Sequence, residues 1–259
     1  MPYREKKFYL GSTRKYLEVE HFPISFKERS KRRKDKKKET IPKQKNLNDK
    51  NAKKYLIRII NHNFTDKDLI AHLTYIDKYL PKSEEEARKD IKNYLLRVRR
   101  WRKKNGIKEE LKYIAIIEYR DQVEGKKAIR IHHHVIINDM DRDILEDLWK
   151  KGRANVDRLQ ADEYGYEALA RYVTKDPQGK KRWVPSKNLK PPIPDINDFR
   201  FSKKKIVEMS KTPEDREMFE RLYPGYFLTK CSVEVNKETS EIYIYLKMRK
   251  LEWGDGEWI

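Results

Sequence analysis

Cysteine is almost absent from this chain of 259 residues, where Cys231 stands alone. A single thiol excludes a disulfide framework and any zinc site built on thiolates. It suits a reducing compartment, so the cytoplasm is the expected location. Long apolar runs are missing as well. None approaches the roughly 18 residues of a membrane-spanning helix, so no membrane partner is expected. Met1 is followed by Pro2, Tyr3 and Arg4 without the apolar stretch of a signal peptide. No GxxxxGK[ST] phosphate loop occurs, which excludes a recognisable P-loop motor, and no internal repeat is present.

What the chain has in excess is positive charge. Lys and Arg number 62 against 42 Asp and Glu, a net +20, and charged residues make up 40% of the sequence against 37% hydrophobic ones. That leaves enough apolar material for a core under a densely charged surface, and it points to a polyanionic partner, nucleic acid first. The excess is concentrated. Between Lys27 and Lys54 fourteen basic residues face four acidic ones, so half of the net charge sits in about a tenth of the chain. The stretch from Lys31 to Lys38 has nothing to pack with. Residues 1–39 are therefore expected to form a basic, partly disordered arm that touches phosphates.

Periodicity organises the rest. A helix is expected from Thr40, a possible N-cap with Pro42 in the first turn, to the Asn61-His62-Asn63 stop, with Ala52, Leu56 and Ile60 on one face. Leu69 to Tyr75 alternates as a strand, with Leu69, Ala71, Leu73 and Tyr75 on one side. Ser83 and Glu86 form a capping-box pattern that opens a helix buried through Ala87, Ile91, Tyr94, Leu95, Val98 and Trp101, its outer face carrying Arg97, Arg99 and Arg100. Strands follow over 112–119 and 128–138, then a helix over 141–151, a strand over 153–159 and a helix over 166–175. This is the order of a ferredoxin-like βαββαβ antiparallel sheet with an added helix. Beyond Pro177, residues 183–194 read as extended, 212–222 as helical, and 226–235 with 242–248 as a β-hairpin. The expected organisation is an arm over 1–39, a core over 40–176 and a C-terminal extension or small subdomain over 177–259.

Chemistry is concentrated in three consecutive histidines on a strand, His132-His133-His134. Side chains of a strand alternate, so His132 and His134 share a face, while His133 joins Ile129, Ile131, Val135 and Ile137 on the other. Two imidazoles spaced in this way can converge on one divalent ion. In the preceding strand the pattern Tyr113-Ile114-Ala115-Ile116-Ile117 is broken by Glu118, a carboxylate that needs a cation, a donor or solvent. Pairing of the two strands as a hairpin sets it beside the histidines; His72 is the alternative third ligand. Two histidines and a carboxylate suit a catalytic Mg²⁺ or Mn²⁺ shared with phosphate oxygens. A second feature is Tyr172-Val173-Thr174-Lys175, in which helical spacing puts Tyr172 and Lys175 on one face. The ammonium favours a phenolate and can hold a phosphate, although Tyr172 also reads as an ordinary residue of an amphipathic helix.

An HxH pair on a strand followed by a Tyr-x-x-Lys helix resembles the HUH endonucleases, specifically rolling-circle replication initiators of phages, plasmids and integrated elements. The resemblance is carried by Asp68–Tyr75 (DLIAHLTY), Glu118, Arg130–Ile137 (RIHHHVII), Trp149–Gly152 (WKKG), Leu169–Lys175 (LARYVTK) and Arg182–Lys190 (RWVPSKNLK). It differs in one place, since His133 stands where the family usually has an aliphatic residue. It implies a divalent ion, Mg²⁺ or Mn²⁺, held by His132, His134 and Glu118, with Tyr172 as nucleophile and Lys175 as its charge partner. It further implies nicking and rejoining of single-stranded DNA at an origin duplex through a 5′-phosphotyrosine, with a host helicase and a host polymerase as partners. The same residues leave open a transposase or relaxase of that superfamily, a non-catalytic sequence-specific nucleic-acid-binding protein, and a metal-dependent phosphodiesterase that uses water.

Overall fold

The structure, a computed structural model, describes residues 2–24, 42–122, 127–175, 183–236 and 238–251, and of residues 42–46 the backbone only. In chain order its strands and helices begin with β1 (Tyr3–Leu10), β2 (Tyr16–Pro23), α1 (Pro42–Asn63) and β3 (Leu69–Leu73). Then come α2 (Glu84–Lys104), β4 (Tyr113–Arg120), β5 (Ile129–Ile137), α3 (Arg142–Asp147), β6 (Ala154–Arg158) and α4 (Glu167–Val173). The chain closes with β7 (Val184–Pro185), β8 (Asp195–Asn197), α5 (Lys203–Lys211), α6 (Arg216–Leu222), β9 (Tyr226–Val235) and β10 (Ile242–Lys250). Two five-stranded sheets form, ordered β8-β1-β2-β10-β9 and β6-β3-β5-β4-β7. They belong to two compact units, one of residues 1–62, 163–165 and 191–259, the other of residues 63–162 and 166–190.

The second unit holds the expected βαββαβ run. Its four long strands are all antiparallel and lie in the order fourth, first, third, second, with the two-residue β7 added at the β4 edge. One face of this sheet presents Leu69, Ala71, Leu73, Ala115, Val135, Ile137 and Val156. It packs against Ile91, Tyr94, Leu95 and Val98 of α2 and against Leu145 and Trp149. The helices begin where expected, but α3 ends at Asp147 and α4 at Val173, short of the expected 151 and 175. The Ser83 hydroxyl accepts from Glu86 N–H and Asp141 accepts from Ile144 N–H, so each first turn is capped. Arg97 departs from the expected exposed ridge. Its guanidinium turns inward and donates to the carbonyls of Leu148 and Trp149, which ties α2 to the end of α3. Trp149 is wholly buried. Its indole N–H donates to the Thr74 carbonyl and its ring meets Tyr75, Tyr94 and His133.

The first unit differs more from the sequence reading. Tyr3–Pro23, expected within a basic arm, is the β1–β2 hairpin, and it pairs with β10 of the expected C-terminal hairpin. The stretch 31–38 lies outside the described residues. α1, expected at the head of the core over 40–176, packs in this first unit, all but its last residue. Arg58 donates to Glu18 at 2.6 Å and Glu20 at 2.9 Å, and its guanidinium lies 3.6 Å from the Phe8 ring centroid. On the opposite face Tyr3, Leu17, Val19, Ile244, Leu246 and Met248 pack against Ile206, Met209 and Phe219 of α5 and α6. A sheet covered on both faces explains the misreading. Charged residues of β1 and β2 sit inside, neutralised by partners far along the chain.

Candidate metal centre

Register builds the site on the other face of the second sheet. Across the β4–β5 pair Ile116 faces His134 and Glu118 faces His132; across β3–β5 His72 faces His134. The four polar side chains therefore share one face at adjacent rungs. His133 points the other way, as alternation requires, and is completely buried with its Nε2 2.6 Å from the Tyr75 hydroxyl. The aliphatic-to-histidine departure at this position thus belongs to the core. Burial foremost, then the charge of His132, pushes the His133 pKa down to about 3, so its ring stays neutral.

Three donor atoms converge. His134 Nε2 lies 3.0 Å from Glu118 Oε2, His132 Nε2 lies 3.1 Å from His134 Nε2, and His132 Nε2 lies 3.3 Å from Glu118 Oε2. Among the described residues this is the group able to hold a metal ion. The residues fit such an ion on two counts. Octahedral coordination at about 2.1 Å spaces neighbouring donors about 3.0 Å apart, which matches this triangle. The protonation pattern agrees. His132 Nδ1 faces the Arg130 carbonyl at 2.8 Å, an acceptor only, so Nδ1 carries a proton and Nε2 is the atom available to a metal ion. His134 contributes a neutral ring, its pKa pushed down to about 3 by burial first and then by His132, His72 and His133.

His72, read from the sequence as an alternative ligand, takes a different place. Its Nδ1 meets His134 Nδ1 at 2.7 Å, so it buttresses a ligand from behind. The signal for it was parity, since His72 lies opposite to Leu69, Ala71 and Leu73 on its strand. Tyr172 stands over the group from α4. Its ring centroid is 5.6 Å from that of His134 and 6.0 Å from that of His72, and the side chain is 58% exposed. A tyrosine on an amphipathic helix would be buried; this one is held by ring edges and open to solvent. Lys175 lies beyond the helix that carries Tyr172. α4 stops at Val173, and the Lys175 backbone N–H closes a turn onto the Tyr172 carbonyl at 3.2 Å. The Lys175 side chain is exposed, without a hydrogen bond or ion pair to the described residues.

Among the described residues no helix is long and apolar enough to cross a membrane. Neither a curated protein nor a solved structure matches the chain. Residues 68–177 match the family described as Replication-associated protein ORF2/G2P. This segment carries Glu118, His132, His134 and Tyr172 together, and over it the chain is similar to replication-associated proteins.

Proposed function

We propose that this protein initiates rolling-circle replication by nicking single-stranded origin DNA and later rejoining it through Tyr172. The observation that carries the reading is the placement of an exposed phenol beside a two-histidine, one-carboxylate cluster in which Glu118 and His134 are buried and His132 is half-buried. A tyrosine poised over two imidazoles and a carboxylate suits attack on a phosphodiester.

The chain's own groups divide the work. Glu118, His132 and His134 would hold a divalent ion, Mg²⁺ or Mn²⁺. Such an ion, when bound, draws charge from the scissile phosphate. The Tyr172 oxygen forms a bond to phosphorus as the bond from phosphorus to the 3′ oxygen breaks. The phenolic proton passes to solvent, and the departing 3′ oxygen takes up a proton from solvent to leave as a 3′-hydroxyl. The product is a 5′-phosphotyrosine whose ester energy permits rejoining without ATP. Lys175, free to swing, would balance charge at the phosphate or the phenolate. The basic surface of a +20 chain would hold the strand. The free 3′-hydroxyl would be extended by a host polymerase after unwinding by a host helicase.

The test is covalent trapping. The protein is mixed with a pool of single-stranded oligonucleotides labelled at the 3′ end, with and without Mn²⁺, and run on a denaturing gel. A metal-dependent shifted band that disappears in Tyr172→Phe is the expected result. Cleavage without a band would replace the proposal with a water-using phosphodiesterase, and binding without cleavage with a non-catalytic DNA-binding protein.

A further inference from the structure

The outer face of α2 is a ridge of free cations. Between Arg88 and Lys104 nine basic side chains accompany one acid, Asp90, which is paired with Lys151 at 2.8 Å. Three of the nine are engaged inside the unit: Arg88 with Glu84, Arg97 with the carbonyls of Leu148 and Trp149, and Arg102 with those of Glu109 and Asp139. The other six, Lys89, Lys92, Arg99, Arg100, Lys103 and Lys104, are exposed, without a hydrogen bond or ion pair to the described residues. At about 100° per residue they fall within an arc of about 140°, opposite to the buried Ile91, Tyr94 and Val98. They extend over about four turns, or about 22 Å of helix. Cations three and four positions apart repel one another and weaken the helix, a cost that a polyanion laid along the ridge removes.

We propose that this ridge holds the phosphate backbone of duplex DNA, a segment separate from the strand cut at Tyr172. Duplex is favoured over single strand by what the ridge lacks. Its outward arc carries no aromatic ring, since Tyr94 is buried and Trp101 is packed against the core. Single strands bound without sequence preference are held by stacking of their bases as well as by charge. A straight row of cations offers contacts to phosphates only, which is what a duplex displays outside its grooves. Position separates the two segments. α2 packs on the sheet face of Leu73, Ala115 and Val135, whereas His72 and His134 project from the opposite face. The ridge points away from the sheet and so lies a helix diameter, about 10–12 Å, behind it. The nucleotides at Tyr172 are therefore not those on the ridge. The proposal rests on the nicking reading only for the identity of the polyanion as DNA.

The test is fluorescence anisotropy of the full chain over a range of salt, with a duplex of about 20 base pairs and a dT single strand of the same length. It is run in EDTA, where neither metal nor Tyr172 plays a part, so a failed ridge and a failed nicking are read separately. Lys92→Gln/Arg99→Gln/Lys103→Gln removes three cations from one row of the ridge, and Gln keeps the helix. Duplex affinity at about 0.15 M salt is expected to fall about ten- to hundredfold. The slope of log K against log salt should shrink by about 2.7, at about 0.9 for each lost phosphate contact. Affinity for dT should change less than about threefold. Lys203→Gln/Lys204→Gln/Lys211→Gln, three cations of α5 in the other unit, makes the same change in net charge and should leave the duplex slope within about 1 of native. An equal loss in the α5 variant would assign the binding to bulk charge, and a loss as large on dT as on duplex would assign it to a single strand. Either result, or an unchanged duplex slope in the ridge variant, would overturn the proposal.

Discussion

His72 and His134 meet Nδ1 to Nδ1 at 2.7 Å, on facing positions of β3 and β5, while His134 turns its Nε2 to Glu118. One of the two Nδ1 atoms must donate and the other accept. With Nε2 of His134 kept as a lone pair, the proton lies on its Nδ1 and His72 accepts. His72→Ala removes that acceptor and leaves a buried N–H unpaired and a ring unheld. The expected outcome is Mn²⁺ affinity weakened about ten- to hundredfold with the fold intact, read by calorimetric or paramagnetic titration. An unchanged affinity would remove His72 from the centre.

Gly152 is tight against the end of the same strand. A Cβ there would meet the Thr74 carbonyl oxygen, with Ile76 N at 2.7 Å and Tyr75 Cα at 2.8 Å, all backbone atoms that cannot give cheaply. The same Thr74 carbonyl receives the Trp149 indole N–H. Gly152→Ala is expected to lose about 2–4 kcal/mol of stability, measured by urea midpoint, and to weaken Mn²⁺ binding because His72 lies two residues before Thr74.

Arg58 joins α1 to its sheet through Glu18 and Glu20, and both its own side chain and that of Glu18 are under a tenth exposed. Truncation leaves a buried carboxylate without its counter-charge. Arg58→Ala is expected to cost about 3–5 kcal/mol, whereas Lys54→Ala, at the more exposed contact to Glu20, should cost under about 1 kcal/mol. Denaturation midpoints of the two variants give the comparison.

Stability should fall on mild acidification. Burial first, and the charge of Arg200 second, pushes the His21 pKa down to about 3, so the folded state keeps it neutral while the unfolded chain protonates near pH 6.5. Between those values the unfolded state binds the extra proton. The contribution is complete above pH 6.5 and is lost as pH drops toward 3, by up to about 1.4 kcal/mol per pH unit. Urea unfolding in EDTA at pH 7, 6 and 5 should show the slope, and His21→Asn should reduce it by the share of one proton, leaving those of the buried His133 and His134; an unchanged slope in His21→Asn would contradict the burial account.

Much of the candidate site was legible because it rests on local periodicity. Alternation alone put His132 and His134 on one face and His133 among aliphatic residues, and the break at Glu118 marked the carboxylate. The helix expected over 166–175 ends at Val173, two residues before Lys175, a matter of termination that spacing does not report. The arm expected over 1–39 hid two strands because charge was read as exposure. Glu5 and Glu18 are buried, and what neutralises them, Arg200 and Arg58, is remote in sequence.

The sequence by itself determined the βαββαβ order of the second unit, its buried stripes and the parity of the histidines, since each depends on repeats of two or 3.6 residues along one stretch of chain. Only the tertiary structure decided that β1 and β2 join β9 and β10, that His72 backs His134, and that Tyr172 stays exposed over the cluster. Those outcomes depend on which distant groups meet. Glu5 and Arg200 are 195 residues apart, and no local pattern records that they will share a proton donor and an acceptor.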